Sequence, residues 1–155
     1  SFSLDAIARI LGTELPEHLA HGNKRLYGFS YFNQDEYFLD HISYYGTSDE
    51  PEFFAERYTR GIIADEGAFK FTTSPVYAFE NAGQETDDEV SFVGGEPEFL
   101  QNEDYEELEG YAFIGQIIGY DLPEELEDLF YLTSNIGYFF IRNDFSEGLF
   151  FVQGT

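Results

Sequence analysis

The sequence predicts an α+β fold, mainly antiparallel sheet with short helices on its faces, and three observations carry that prediction. Apolar runs of strand length alternate with polar turns, as in RLYGFSYF followed after Asn33–Glu36 by YFLDHISYY. The aromatic content is 18 Phe and 12 Tyr with no Trp, and large flat rings favour strands. The helical pieces are short and carry their own start and stop signals. At 155 residues the chain fits one acidic globular domain spanning 1–155 with a single core.

Taken in order, Ser3 is placed to cap a helix whose apolar residues Leu4, Ile7, Ile10 and Leu11 recur at helical spacing, and Gly12 is placed to end it. Leu15–Ala20, with Pro16 early and Gly22 after it, reads as the second limb of an N-terminal helical hairpin over residues 3–21. The period then changes to two for a hairpin of Arg25–Phe32 and Tyr37–Tyr45. Asp49-Glu50-Pro51 opens a helix that runs to Gly61, followed by a short strand at Ile62–Ala64. Pro75 splits the apolar run 68–80 or marks a sheet edge, and Asn81–Glu89 reads as an exposed loop.

In the second half, VSFVGGEPEFLQ leads into an acidic helix Asn102–Gly110, a strand Tyr111–Tyr120 and a helix Asp121–Leu132. Asp121 with Glu124 has capping-box spacing. Two strands, Ile136–Arg142 and Gly148–Gln153, joined by a turn at Asn143–Glu147, finish the chain.

Charge is the most unusual property. The formal net charge is −24, from 31 acidic and 7 basic residues, and no Lys or Arg occurs between Lys70 and Arg142. Such a field repels nucleic acid, anionic membranes and phosphorylated substrates, and it speeds encounter with basic partners. Solubility, a salt-adapted host and divalent cation binding are the other readings of the charge. The absence of Cys excludes disulfides, thiolate metal sites and a cysteine nucleophile. No apolar run reaches membrane-spanning length and SFSLDAIARI lacks a signal pattern, so the expectation is a soluble, cytoplasmic protein with no membrane and no direct nucleic-acid contact.

Tests for chemistry return little, and the expectation is a non-enzymatic protein with no catalytic residue, no metal and no cofactor. The pair Gly94-Gly95 belongs to neither phosphate-loop pattern, and Glu96 beside it would repel phosphate; it reads as a backbone bend stiffened by Pro97, with Phe99 and Leu100 turned inward. His18 and His21 are three apart in a very short segment, and NDFSEG lacks the alternating ligands and distant Glu of a calcium loop. No G-x-S-x-G exists, and carboxylate pairs are too frequent to be informative.

Gln101, Gln116 and Gln153 stand out. Strand alternation puts Gln116 with Ala112, Ile114 and Ile118, and Gln153 with Leu149 and Phe151, so two amides fall where a core is expected. A buried amide without partners costs about 1–3 kcal/mol, so hydrogen bonds to backbone or to one another are expected. These amides read either as a bracket fixing the sheet or as the polar floor of a small pocket.

The ordered set GGEPEFLQ, YAFIGQI, IGYFFIR and GLFFVQ resembles the YwqG-like family of uncharacterised bacterial domains, with Gly94, Gly95, Pro97, Gln101, Gln116, Gly137, Phe139, Phe140 and Gln153 at the matching positions. The resemblance implies an α+β, sheet-rich fold with no established catalytic residues, and relatives that look like parts of toxin–immunity systems. The functional expectation is an acidic binding protein, in its sharpest form an immunity or inhibitor protein occluding a basic surface such as a nuclease. Its contact residues would be Glu103, Asp104, Glu106, Glu107, Glu109, Glu124, Glu125, Glu127 and Asp128. The alternative is a YwqG-like housekeeping or small-ligand-binding domain.

Overall fold

A computed structural model describes residues 1–30, 59–70, 91–100, 106–126, 129–130 and 133–154, without the side chain of Glu107. Those residues form two antiparallel sheets, one α-helix and short 3-10 turns. The first sheet has the order β1 (Phe2–Ser3), β2 (Lys24–Ser30), β3 (Thr59–Asp65), and the second β4 (Phe92–Val93), β5 (Tyr111–Ile118), β6 (Ile136–Arg142), β7 (Gly148–Gln153).

Helix α1 (Leu4–Leu11) forms as its sequence dictates. The Ser3 hydroxyl accepts from the Ala6 N–H at 3.1 Å, and such a cap contributes about 1 kcal/mol. At the other end Gly12 adopts φ 63°, donating to Arg9 while Thr13 donates to Ala8, the Schellman pattern that suits a residue without Cβ. Leu4, Ile7 and Ala8 are buried on one face of this helix. The second limb of the expected helical hairpin is only a turn, in which Leu19 and Ala20 donate to the Pro16 carbonyl and Leu15 and Leu19 touch the core.

Strand β3 differs from expectation. Thr59 and Arg60, placed at the end of a helix by the sequence, are paired instead with Ser30 and Phe29 of β2, and the strand extends to Asp65 opposite Lys24. Gly61 sits where β3 crosses β7, and a Cβ there would lie 2.7 Å from the Gly148 and Leu149 backbone. The glycine that resembled a helix stop serves a close approach of two backbones. The strand Tyr37–Tyr45, the helix start at Asp49, the Pro75 region and the loop Asn81–Glu89 lie outside the described residues.

In the second half, β6 and β7 have the expected bounds, and their connection is tightened by Asp144, whose carboxylate accepts from the Ser146 N–H and hydroxyl. Those two bonds hold the Asp144 carboxyl below its usual pKa. Strand β5 stops at Ile118, because Gly119–Asp121 turns as a 3-10 helix and Gly119 donates to the Asn135 carbonyl. The two acidic helices shrink to single 3-10 turns among the described residues, Glu106–Leu108 and Glu124–Leu126. Leu126 and Leu129 are three apart, the spacing that eclipses in a 3-10 turn. Asp121 does not cap the second turn with Glu124; its carboxylate accepts from the Ser91 N–H at 3.0 Å.

Both faces of the four-stranded sheet are buried, which explains why IGYFFIR is apolar almost throughout instead of alternating. One face packs on α1 and the first sheet through Ile114, Phe139, Ile141, Phe150 and Val152, with Leu4, Ile7 and Leu26 opposite. The other carries Phe113, Ile118, Ile136, Tyr138, Phe140 and Phe151, against which Phe92, Phe99, Leu100 and Leu108 pack.

Candidate functional site

The feature that gathers the unusual residues is the segment 94–100, which crosses that second face as a strap. Its entry is set by Gly94 and Gly95, with φ 79° and 74°, left-handed conformations in which a side chain is strained. The Gly94 N–H still reaches the Ile114 carbonyl at 2.8 Å, the last link to the strand ladder. Pro97 then restricts the backbone, and Phe99 and Leu100 lie half-buried on the aromatic face. Phe99 sits 5.3 Å from Tyr138 and 6.3 Å from Phe140, centroid to centroid.

Three buried polar side chains hold the strap from below. The Glu98 N–H donates to Gln116 Oε1 at 3.0 Å, and the Gln116 amide donates back to the Glu98 carboxylate at 3.4 Å. The Tyr138 hydroxyl donates to the Glu98 carbonyl at 2.6 Å. The Leu100 N–H donates to Gln153 Oε1 at 2.9 Å and to Tyr138 Oη at 3.3 Å. Gln116, Tyr138 and Gln153 belong to β5, β6 and β7, so the clamp spans three neighbouring strands.

Gly94, Gly95, Pro97, Gln116 and Gln153 are thus brought together, while Gln101 lies outside the described residues. Gln153 keeps the expected company of Leu149 and Phe151. Gln116 does not share a face with Ile114, because a β-bulge between Phe113 and Gly115 shifts the alternation by one residue. It faces the strap with Phe113 and Ile118, while Ile114 goes to the opposite core. The strap occupies the place that a pocket floored by these amides would need. Tyr138 was missed by the sequence reading; the signal was a tyrosine hydroxyl inside an otherwise apolar strand, which needs a buried partner.

Removing that hydroxyl gives a direct check on the clamp. Tyr138→Phe leaves the Glu98 carbonyl without its donor and is expected to lower stability by about 1–3 kcal/mol, read as a lower urea midpoint at unchanged slope. Tyr111→Phe, whose hydroxyl meets Arg142 at the exposed surface, is expected to stay within about 0.5 kcal/mol of wild type.

The acidic residues are distributed over two segments. Glu106 and Glu109 are exposed beside Leu108, which packs on the strap face. Glu124 and Glu125 are exposed between Leu122 and Leu129, which pack on the opposite core. Glu103, Asp104, Glu127 and Asp128 lie outside the described residues, as does the Glu107 side chain. The ion pairs among the described residues are Lys24–Asp65, Arg25–Glu66 and Arg142–Glu147, all at the surface. Glu96, Glu106, Glu109 and Glu124 meet no cation among the described residues.

Among the described residues, no reactive constellation assembles around these groups. Among the described residues no three His, Asp or Glu side chains converge as metal ligands. The Tyr111 phenol is pushed up, first by burial and then by its bond to Glu147, and the guanidinium of Arg142 lies 4.8 Å over its ring; this is a surface trio and not an acid–base pair in a cleft. No helix among the described residues is long and apolar enough to cross a membrane. Comparison with protein-family models, with curated proteins and with solved structures finds no match to this chain.

Proposed function

We propose that this chain is a non-enzymatic acidic binding protein of YwqG-like kind, an immunity or inhibitor protein that occludes a basic surface such as that of a cytoplasmic nuclease. The observation that carries the reading is the state of the carboxylates on the strap side. Glu96 and Glu98 on the strap, and Glu106 and Glu109 beside Leu108, are exposed on segments anchored to one face of the sheet by Phe99, Leu100 and Leu108. Lys24, Arg25 and Arg142 are engaged elsewhere, with Asp65, Glu66 and Glu147. Negative charge mounted on a clamped backbone needs little ordering when it meets Lys and Arg of a partner, and complementary potential raises the association rate.

The test is a binding series with purified basic proteins, nucleases among them, at about 50 and 150 mM salt, where the screening length falls from roughly 14 to 8 Å. Submicromolar binding to at least one of them at the higher salt, weakened at least about tenfold in the combined variant E96Q/E106Q/E109Q with association slowed more than dissociation, is the expected result. Equal binding by that variant, or no binding at the lower salt, would remove the strap-side acids from any partner contact.

A further inference from the structure

The hydrogen bonds of the strap follow a pattern of their own. Beyond the Gly94 link, its main-chain groups bonded to described residues are the Glu98 N–H, the Glu98 C=O and the Leu100 N–H. Those are the groups that one edge of an antiparallel strand offers its neighbour, both polar atoms of residue i and then those of i+2. Here they are met by side chains rising from the face of a sheet. No backbone ladder bond joins residues 95–100 to that sheet among the described residues. The principal bonds therefore read main-chain groups of a segment that is not a strand and bends at Leu100, and side-chain identity enters through two consecutive residues, Phe99 and Leu100, packed on the aromatic cluster of Tyr138, Phe140 and Phe151. Recognition in which main-chain hydrogen bonds give affinity and side-chain contacts give selectivity is a recurring way of binding peptides.

We propose that Gln116, Tyr138 and Gln153 form a backbone-reading slot for a short peptide ending in an aromatic–aliphatic pair, with Glu98–Leu100 as its resident occupant and a basic segment of the partner as its exchange ligand. Three features favour exchange. The strap is joined at its start by two left-handed glycines, so it can lift about one joint. Its two apolar anchors are only half-buried, which places its opening among local events and not global unfolding. Its own Glu96 and Glu98 add to a face that already carries Glu106 and Glu109, whereas a segment with Lys at the two glutamate positions would be attracted there. The basic character of the ligand rests on the function proposed above; the slot does not.

Fluorescence anisotropy with labelled five-residue peptides on the whole chain tests this. Lys-Pro-Lys-Phe-Leu is expected to bind at least about tenfold more tightly than the same residues in scrambled order. Weakening the resident strap with Phe99→Ala is expected to raise the affinity about tenfold, because an occupied slot lowers apparent affinity by the fraction that is open. Tyr138→Phe is expected to abolish the preference for order. As a check that does not depend on these variants folding equally well, Leu100→Cys supplies the only thiol in a chain without cysteine, and saturating peptide should speed its labelling several-fold. Equal binding of ordered and scrambled peptides, or labelling that the peptide leaves unchanged, overturns the slot while leaving charge-driven binding intact. Binding of neutral Ala-Pro-Ala-Phe-Leu as tightly as the lysine peptide supports the slot and counts against a basic partner.

Discussion

Gly61→Ala is expected to cost at least about 3 kcal/mol, at or beyond the upper end of ordinary overpacking, and to appear as a large drop in the urea midpoint or as failure to fold. The reason is geometric. A Cβ at Gly61 would stand 2.7 Å from the carbonyl carbon and oxygen of Gly148 and from the carbonyl carbon of Leu149. Backbone atoms cannot rotate away as the tip of a side chain can, so relief requires moving β3 off β7 and opening the contact between the two sheets. Gly148 faces the same crossing from the other side, where an added Cβ would strike Leu26 and approach Ile63 at 3.5 Å. The control is Gly67→Ala. That residue has φ 82° and open space around its absent Cβ, so its substitution should cost only the left-handed penalty of about 1–2 kcal/mol. If Gly61→Ala proved no worse than Gly67→Ala, the two sheets would not be packed as described.

That glycine also illustrates where the sequence was legible. Helix α1 and strands β6 and β7 have the bounds that the residues alone suggest, because each is delimited locally: a serine cap and a glycine stop for the helix, a polar turn with an Asp–Ser bond for the hairpin. The start of β3 was misread because Asp49-Glu50-Pro51 and Gly61 have the pattern of a helix start and stop, whereas the strand state of Thr59 and Arg60 is imposed by pairing with β2 and by the crossing of β7, neither of which leaves a local mark. The bulge in YAFIGQII was equally hidden. Strict alternation gave Gln116 the right burial and the right neighbour in Ile118 but the wrong one in Ile114, and only the ladder with β6 reveals the one-residue shift between Phe113 and Gly115.

The candidate site was half readable for related reasons. Two glutamines at inward positions and a Gly-Gly-x-Pro bend announce that something polar is buried and something turns sharply. That the two features meet, with Tyr138 between them, depends on a strap folding back over a face that antiparallel sheets often leave to solvent. Among the described residues the acidic segments form single 3-10 turns, and their exposed carboxylates stand on segments anchored to two different faces.

Burial on both faces makes a second large prediction from adjacent residues. Phe150 points into the core shared with α1, 4.5 Å from Phe139 and 6.0 Å from Phe130 by ring centroids. Phe151 points the other way, stacked 5.4 Å from Tyr138 and 5.8 Å from Phe140 beneath the strap. Phe150→Ala and Phe151→Ala are each expected to cost about 3–5 kcal/mol, a large share of the roughly 5–15 kcal/mol total of a natural domain. A sheet covered on one side only would make the two unequal, with the solvent-facing ring worth less than about 1 kcal/mol. The pair also separates the two covers. Phe151→Ala loosens the floor on which Phe99 and Leu100 rest, so it should increase hydrogen exchange at the Glu98 and Leu100 amides before the β2–β3 ladder is affected; Phe150→Ala should do the reverse. Equal exchange profiles in the two variants would mean that strap and first sheet open together, and the clamp of Gln116, Tyr138 and Gln153 would then be part of one cooperative core, with no slot that opens on its own.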